Sequence, residues 1–475
     1  MSSYISLTII SSVHSVSGLS SGISLSPTII PNNSTLEMSS SNHRHSSSGC
    51  CSIIPPHILE HVAHAPGVSE KQRTIASNTL RAIHNVHGVR KGLGSAALAS
   101  SSGPAPQPLI PSYVYSEIAK AEGISDQTKQ RVQFNIKRLS ALQSAGKLRP
   151  TKRPVPGHLS RVVRDAHQTD EKTGDIVIKD AEEWKVSKDD GAKRIWDYLG
   201  QIFDFFHEVY GRNSIDDKGF QLVATVHWDD DNGSTPGYMN AFWDPQSSEW
   251  YFGDGDGAIF NDFTKSLDVA GHEYAHAVTQ FTADLPYQWQ AGALNEHFSD
   301  VFGSLIKQYY LHQSAGDADW LIGQGIFLND KAPALRSMKA PGTAYDWPEV
   351  VGKDPQPADM DGYKELPMSK DNGGVHIYSG IPNRAFYLVA TAFGGNAWEK
   401  AGKIWYDTLL DPALKAKFDS DKLTGRTFER NCKNAFKMMA DLTVQHAEAL
   451  YGQSGRNIVR KAWTDVKVLP VRSML

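Results

Sequence analysis

The segment His272-Glu273-Tyr274-Ala275-His276 carries the side chains of this chain that are best suited to chemistry. Residues four apart on a helix lie on one face, so both imidazoles can reach a single metal ion while Glu273 stays beside them. This pattern predicts two zinc ligands and a carboxylate that is free to act as a general base, a combination typical of metallopeptidases. For the pentapeptide taken alone, the alternative is a pair of histidines on an exposed helix face.

A second segment, Gly292-Ala293-Leu294-Asn295-Glu296, offers the third ligand of a catalytic zinc site. Such a site has three protein ligands and one open position for water. We expect Glu296 to complete the ligand set from the helix that follows the first one. Asp300 lies one helical turn further along the same face, where it can orient a histidine ligand through the second ring nitrogen. The alternative for Asp300 is an ordinary helix carboxylate.

The segment Asp371-Asn372-Gly373-Gly374-Val375-His376 contains a candidate for stabilising negative charge during a reaction. Amide hydrolysis passes through a tetrahedral oxyanion, which needs hydrogen-bond donors besides a metal ion. His376 can be such a donor if Asp371 holds it protonated, and the alternative is a loop histidine without a partner. In the same reaction, Glu273 would take the proton of the attacking water and pass it to the leaving amine.

The elements that must position these side chains follow from the periodicity of the apolar residues. Residues 192–210 have helical spacing, and strand-like runs follow at 220–226, 238–243 and 249–252. From residue 264 onward the pattern is mostly helical, with further helices expected at 293–311, 381–393, 397–410 and 425–450. A strand-rich lobe followed by a helical lobe, with the zinc-motif helix between them, predicts a metal site in the cleft.

Six segments resemble, in the same order, those of the thermolysin-like metallopeptidases. They are residues 240–243, 253–257, 272–279, 292–296, 335–338 and 371–376. The resemblance extends over residues 161–470. It implies an α+β fold with a strand-rich N-terminal lobe, a helical C-terminal lobe and the zinc cleft between them. It also implies a zinc endopeptidase that acts on protein or peptide substrates.

The resemblance further implies roles for individual residues. Tyr287 and His376 would donate to the oxyanion. Asn240 and Ala241 would hold the substrate backbone as an added edge strand, a known mode of peptide capture. Arg336 would donate to a substrate carbonyl at the first primed subsite. The apolar pocket that would receive a large apolar residue after the cleaved bond falls on Phe260, Phe263, Val269, Ile322 and Leu335. For each pocket residue the alternative is ordinary core packing.

One departure from the secreted, heat-stable members concerns calcium. Those members carry a two-calcium site built from carboxylates near the zinc helix. Three carboxylates of this region remain, Asp268, Asp300 and Asp319, but Lys307 and two neutral residues stand where further acidic ligands would be. Because a lysine cannot serve as a calcium ligand, we expect the double site to be lost. The alternative is a single calcium ion that binds more weakly.

Two copies of a short pattern precede this region, at residues 55–70 and 111–126. Each predicts a proline-led short helix, a glycine turn, a serine N-cap and a second helix. The first copy resembles the propeptide of protealysin-like enzymes and implies a zymogen. Pro55 and Pro56 would keep the backbone extended in the cleft, and the Cys51 thiolate would take the open zinc position. The alternatives are exposed thiols at Cys50 and Cys51, and a permanent docking module in place of a propeptide.

Changes in composition along the chain, together with the resemblance, predict seven regions. They are a disordered serine-rich tail (1–49), a first propeptide copy (50–95), a flexible linker (96–108), a second propeptide-like copy (109–150), a processing junction (151–164), a strand-rich catalytic lobe (165–290) and a helical catalytic lobe (291–475). We expect the mature domain to begin near Arg161.

Composition and charge exclude several other functions. A net charge of −4 over 475 residues gives no basis for nucleic-acid binding, and no apolar run approaches the length of a membrane span. No signal peptide is recognisable, so the compartment stays open between the cell interior and export by a non-conventional route. We expect a monomer whose partners are its substrates and its own propeptide. The rival function is a catalytically silent, zinc-binding scaffold that captures peptides, against which the retained Glu273 argues.

Overall fold

A computed structural model describes residues 51–96, 158–170, 174–229, 236–245, 247–419, 423 and 425–471 of the chain. The predicted serine-rich tail and the second propeptide-like copy lie outside these residues. The same holds for residues 97–108 of the linker and 151–157 of the junction. None of the helices in the described ranges is long and apolar enough to cross a membrane.

The described elements form three groups along the chain. The N-terminal segment contains β1 (Cys51–Ser52), α1 (Pro56–His64) and α2 (Glu70–Ala96). The strand-rich part contains β2 (Arg161–Thr169), β3 (Asp175–Ile178), α3 (Ala181–Val186), α4 (Asp190–Tyr210), β4 (Leu222–Trp228), β5 (Ala241–Asp244) and β6 (Glu249–Phe252). The rest contains α5 (Leu267–Phe281), α6 (Trp289–Tyr310), β7 (Leu321–Ile322), β8 (Arg336–Ser337), β9 (Asp346–Trp347), β10 (Gly352–Lys353), α7 (Asp371–Tyr378), α8 (Gly380–Phe393), α9 (Ala401–Leu410), α10 (Pro412–Lys417), α11 (Gly425–Lys433) and α12 (Ala435–Asp465).

The largest sheet is mixed and six-stranded, with the order β1-β5-β6-β4-β2-β3. The pairs β2–β4 and β4–β6 are parallel, while β5–β6 and β2–β3 are antiparallel. The edge strand β1 comes from the N-terminal segment and pairs antiparallel with β5, with Cys51 opposite Trp243 and Ser52 opposite Phe242. The first propeptide copy therefore extends the sheet of the catalytic part.

The amphipathic helix α4 covers one face of this sheet. Its apolar residues recur at helical spacing and pack against β2 and β4. The side chain of Asp189 accepts a hydrogen bond from the backbone nitrogen of Ala192 and so caps the first turn. Gly211 ends the helix at a φ of 69°, a left-handed conformation that suits glycine.

Helices α5 and α6 form the centre of the molecule and carry the zinc motif. Every residue from Asp268 to Gln280 of α5 is buried, as is every residue from Gln290 to Ile306 of α6. Helices that are buried on all sides belong to the core of a large domain. Since α5 also contacts β5 and β1, the motif residues face the strand edge where the N-terminal segment lies.

The N-terminal segment packs onto the catalytic part through the buried residues of α1. Ile58, Leu59 and Val62 of this helix are fully buried. Ser69 and Gln72 begin α2 with a reciprocal capping box, because each side chain accepts from the backbone nitrogen of the other residue. This is the predicted pattern of a short helix, a turn, a serine N-cap and a second helix.

Candidate active site

Two histidines of α5 and one glutamate of α6 meet at a single buried point. The Nε2 atoms of His272 and His276 lie 3.0 Å apart. Oxygens of the Glu296 carboxylate lie 3.5 Å from His272 Nε2 and 3.4 Å from His276 Nε2. All three side chains are completely buried. The four-residue spacing on α5 thus brings both imidazoles to one place.

The far side of each imidazole is fixed by a hydrogen bond. His272 Nδ1 donates to Asp300 Oδ1 at 2.9 Å, and His276 Nδ1 donates to Asn295 Oδ1 at 2.8 Å. Burial lowers the pKa of His272 to about 4, so its ring is neutral near pH 7. With the proton held on Nδ1, the Nε2 atoms present lone pairs to the common centre.

The donor set fits a zinc ion. Two imidazole lone pairs and a carboxylate would repel one another in a buried space without a cation, and Glu296 Oε2 has no hydrogen-bond partner among the described residues. Ligands about 2.0–2.1 Å from a tetrahedral zinc ion stand about 3.3 Å from each other. The observed separations of 3.0 to 3.5 Å agree with that arrangement.

Asp300 links the histidine ligand to Arg336. The guanidinium donates from Nε to Asp300 Oδ2 at 2.8 Å and from Nη2 to Oδ1 at 2.7 Å, and Asn383 donates to Oδ2 at 2.8 Å. Although burial opposes ionisation, the charge of Arg336 holds the pKa of Asp300 well below its usual range. Asp300 is therefore a charged acceptor that orients His272 and Arg336 together.

Glu273 lies between the ligand histidines and strand β5. Its Oε2 accepts from the backbone nitrogen of Trp243 at 2.9 Å, and its Oε1 has no hydrogen-bond partner within the described ranges. Burial, followed by the nearby charge of Glu296, raises the pKa of Glu273 well above its usual value. One carboxylate oxygen is thus anchored to β5, and the other is buried in the site.

His376 is held by an unusual turn at the start of α7. Residues 371–374 all have positive φ, and a Cβ on Gly374 would lie 2.6 Å from the ring of Tyr378. The turn lets Asp371 accept from both the backbone nitrogen and Nδ1 of His376, at 2.9 and 2.6 Å. Burial alone would lower the pKa of His376, but the carboxylates of Glu296 and Asp371 raise it to about 9. Nε2 therefore carries a proton.

The hydroxyl of Tyr287 stands beside His376 and the ligand cluster. It donates to Glu296 Oε1 at 2.5 Å and lies 3.2 Å from His376 Nε2. The two groups for which the resemblance implied donation to an oxyanion are thus neighbours on one side of the cleft.

The N-terminal segment runs through the cleft with its backbone groups paired. His376 Nε2 donates to the carbonyl of Ser52 at 2.8 Å, and Ile53 N donates to the carbonyl of Ala241 at 3.2 Å. The carbonyl of Ile53 accepts from Arg336 Nη1 at 3.0 Å. Ile54 N donates to the side chain of Asn240 at 2.9 Å.

Three further predictions concern the prolines, Cys51 and the apolar pocket. Pro55 is extended (φ −62°, ψ 141°), but the prediction that Pro56 is extended too is wrong: Pro56 is the first residue of α1, where the fixed φ of proline suits a helix start. The side chain of Cys51 lies outside the described part of the structure, so its thiolate–zinc contact stays a prediction. The pocket residues belong to the same buried cluster as Ile53 and are at most 1% exposed: Phe260, Phe263, Val269, Ile322 and Leu335.

Lys307 lies where the calcium carboxylates were expected. Its ammonium nitrogen is 3.0 Å from Asp268 Oδ2 and 3.1 Å from Asp319 Oδ1, and it donates to the carbonyl of Leu321 at 2.7 Å. The third remaining carboxylate, Asp300, faces the zinc site. Asp268, Asp319 and Lys307 therefore form an ion cluster in which the lysine supplies the cation.

Sequence reasoning missed Asn295 and Asn383 as partners of the site. Asn295 was part of a recognised segment, but it points about 100° away from Glu296 around the helix, so spacing alone assigned it no role. Asn383 lies on α8, far along the chain, and no local pattern marks it. The backbone nitrogen of Trp243 has no sequence signal.

Family comparisons agree with this geometry. The family profile described as the thermolysin metallopeptidase catalytic domain matches residues 124–280, and that of the alpha-helical domain matches residues 283–468. This chain belongs to the thermolysin family of metallopeptidases. The predicted enzyme class and the two-lobed α+β fold are thereby confirmed, and the family is zinc-dependent.

Named relatives of this thermolysin-family chain include proteases of several bacteria. Protease PrtS of Photorhabdus sp. (strain Az29) is 40% identical over 76% of this chain and 91% of its own length. The extracellular metalloprotease of Pectobacterium carotovorum subsp. carotovorum is 42% identical over 76% of this chain and 96% of its length. The solved precursor of protealysin, a metalloproteinase from Serratia proteamaculans, superimposes with a TM-score of 0.64 at 37% identity, covering 88% of this chain and all of its own.

Proposed function

We propose that this thermolysin-family enzyme is an endopeptidase made as an inactive precursor, and that it cleaves before large apolar residues. His272, His276 and Glu296 would hold the zinc ion. A zinc ion in this position polarises a substrate carbonyl and lowers the pKa of a water molecule. The proposal rests on one observation. The buried set of metal-ligand side chains lies beside a strand edge that is already paired with the N-terminal segment.

Glu273 is assigned as the general base. Its Oε2 is tied to the backbone of Trp243, which fixes the carboxylate beside the ligand histidines, and Oε1 has no hydrogen-bond partner among the described residues. Glu273 would take the proton of the attacking water and deliver it to the leaving amine. His376 and Tyr287 would donate to the oxygen of the reacting carbonyl, a role supported by the bond from His376 to the carbonyl of Ser52.

Asn240, Ala241 and Arg336 are assigned to the substrate backbone. Each of them now binds a backbone group of the N-terminal segment, and a substrate that replaced this segment would meet the same donors and acceptors. Asp300 would position Arg336 and His272 for this task. The buried apolar residues around Ile53 would set the preference for a large apolar side chain.

The precursor would be inactive because its own chain fills the cleft. Strand β1 takes the sheet edge that a substrate needs, and Ile53 takes the apolar pocket. The Ser52 carbonyl bonds to His376, and this contact supports blockage of the reacting position. The junction predicted over residues 151–164 would have to be cut ahead of β2 to release the segment, because residues 161–164 already pair within the sheet.

A casein assay tests this function. We expect the full-length chain to hydrolyse casein slowly, a form lacking residues 1–100 to hydrolyse it rapidly, and a zinc chelator to stop both. Equal activity in the two forms would refute the precursor proposal. A shortened chain that binds zinc but never hydrolyses casein would instead favour the silent peptide-capturing scaffold.

A further inference from the structure

The direction of the N-terminal segment in the cleft is defined by four hydrogen bonds. Strand β1 runs antiparallel to β5, and the pairing continues as Ile53 N donates to the carbonyl of Ala241. Ahead of this residue, the carbonyl of Ser52 faces His376, and after it the carbonyl of Ile53 faces Arg336. Each polar backbone group from the Ser52 carbonyl to the nitrogen of Ile54 therefore has a defined partner in the cleft.

This register gives each residue of the segment a position relative to the reaction. Under the proposed function, His376 donates to the carbonyl that is attacked, and Arg336 donates to the carbonyl of the next residue. The Ser52 carbonyl thus occupies the place of the reacting carbonyl, and Ile53 occupies the first position after the cleaved bond. The side chain of Ile53 is large, apolar and completely buried, as the proposed preference requires.

We propose that the peptide bond between Ser52 and Ile53 is a self-cleavage site of the precursor. The inference rests on the proposed function. In this step the carbon–nitrogen bond between Ser52 and Ile53 breaks, and the oxygen of a water molecule joins the carbonyl carbon to give a carboxylate on Ser52. The water proton taken up by Glu273 passes to the nitrogen of Ile53, which leaves as an amine.

The two sides of this bond are held very differently. On the N-terminal side, the described chain is held by β1, whose two residues both pair with β5. On the C-terminal side, α1 and α2 anchor the segment through the buried Ile58, Leu59 and Val62 and through a bond from Gln72 to Asp256 of 3.0 Å. After the cut, the upstream piece can leave while Ile53 stays in the pocket.

Self-cleavage would therefore open only half of the cleft. The non-primed side becomes free, but Ile53 and Ile54 still hold Arg336 and Asn240. Full activity would need a second cut, in the junction that precedes the mature domain. Because the C-terminal piece stays bound, the new amine of Ile53 remains near the site. The peptide bond can therefore re-form until the upstream piece has left.

The test uses the full-length chain, stripped of zinc with a chelator and then given zinc, followed over time by intact mass and N-terminal sequencing. We expect a new N-terminus at Ile53 in the wild type and none in Glu273→Ala. Because only the chain's own site reaches this buried bond, the rate should not change on tenfold dilution, and Glu273→Ala mixed with active enzyme should stay uncut there.

Two matched variants test the register. Ile53→Gly empties the pocket and should slow this cut by about tenfold or more, whereas Ile54→Gly removes the same kind of side chain one residue later and should slow it less. Thermal melting of both variants shows whether the precursor still folds. A new N-terminus at Ile54 or at Cys51 would overturn the proposal.

The same samples separate this inference from the proposed function. If the shortened enzyme hydrolyses casein but no N-terminus at Ile53 forms in the full-length chain, self-cleavage is wrong and the function stands. If neither reaction occurs in zinc-loaded, folded protein, the proposed function itself fails.

Discussion

Helices α5 and α6 contribute to two polar clusters that balance the charge of buried carboxylates in different ways. His272 and Glu296 belong to a set of side chains that could hold a metal ion. Asp268 lies about one turn before His272 on α5, Lys307 lies about three turns after Glu296 on α6, and the Lys307 ammonium meets both Asp268 and Asp319, which comes from the segment before β7. One cluster depends on a metal ion, and the other carries a covalently attached charge.

The difference shows why the first cluster can do chemistry and the second cannot. A zinc ion leaves an open position for water, whereas the Lys307 ammonium fills its site with hydrogen bonds to Asp268, Asp319 and the carbonyl of Leu321. The ammonium is also always present, since the two carboxylates raise its pKa even though burial opposes this. The lysine stabilises the fold, and the zinc set supplies reactivity.

Removing a zinc ligand should have the largest effect. We expect His276→Ala to lose both bound zinc and casein hydrolysis in the shortened enzyme, because two ligands and a water molecule hold zinc far less tightly than three ligands. Metal analysis after gel filtration, together with the casein assay, measures both. A His276→Ala enzyme that kept one zinc per chain would show that the ligand set is assigned incorrectly.

Removing the general base should separate metal binding from activity. We expect Glu273→Ala to keep its zinc but to lose at least about a hundredfold in kcat, because only proton transfer is removed. Glu273→Gln is the matched control for side-chain volume and should behave in the same way. Activity above about one hundredth of the wild-type level would refute the assignment.

Breaking the lysine cluster should lower stability without a direct effect on the chemistry. We expect Lys307→Met to lower the free energy of unfolding by about 3–5 kcal/mol, because Asp268 is then left buried without its cation. Denaturant titration measures this. For the wild type we expect the melting temperature to be insensitive to a calcium chelator, and a large loss of stability on calcium removal would show that Lys307 does not replace the ion.

The comparison also explains what the sequence predicted and what it did not. The convergence of His272 and His276 followed from helix geometry, because four-residue spacing is a local property. Strand β2 was missed because its apolar residues do not alternate cleanly, and its burial comes from parallel pairing with the distant β4. The expected helix over 425–450 is two helices, α11 and α12, which meet at Asn434. The pairing of β1 with β5 joins residues too far apart in the chain for any local pattern to indicate.

A third cluster contains a histidine, His227, whose positive charge depends on pH. His227 lies 3.1 Å from Asp189 and 2.7 Å from Asp254, and its bonds to these two carboxylates raise its pKa to about 10. The folded-state pKa lies above the ordinary value of 6.5, so the contribution to stability is complete below about pH 6.5 and is lost as the pH rises through 10.

His227→Asn tests this cluster, because asparagine tolerates the positive φ of this position but carries no charge. We expect the variant to be less stable than the wild type at pH 6, and the difference in unfolding free energy to shrink steadily between pH 7 and pH 10. A difference that is constant over this range would mean that the charge of His227 contributes nothing.

The smallest effect concerns how the precursor closes the zinc cleft. The carbonyl of Ser52 already occupies the place beside His376, and strand pairing with β5 and the contacts of Ile53 hold the backbone of the segment there. We therefore expect Cys51→Ser to leave the casein activity of the full-length chain unchanged, within about twofold. A rise toward the activity of the form lacking residues 1–100 would show that the thiolate contributes to inhibition. Ile53→Gly in the same assay is the positive control, because it removes a fully buried side chain that helps to hold the segment and should raise the activity of the precursor.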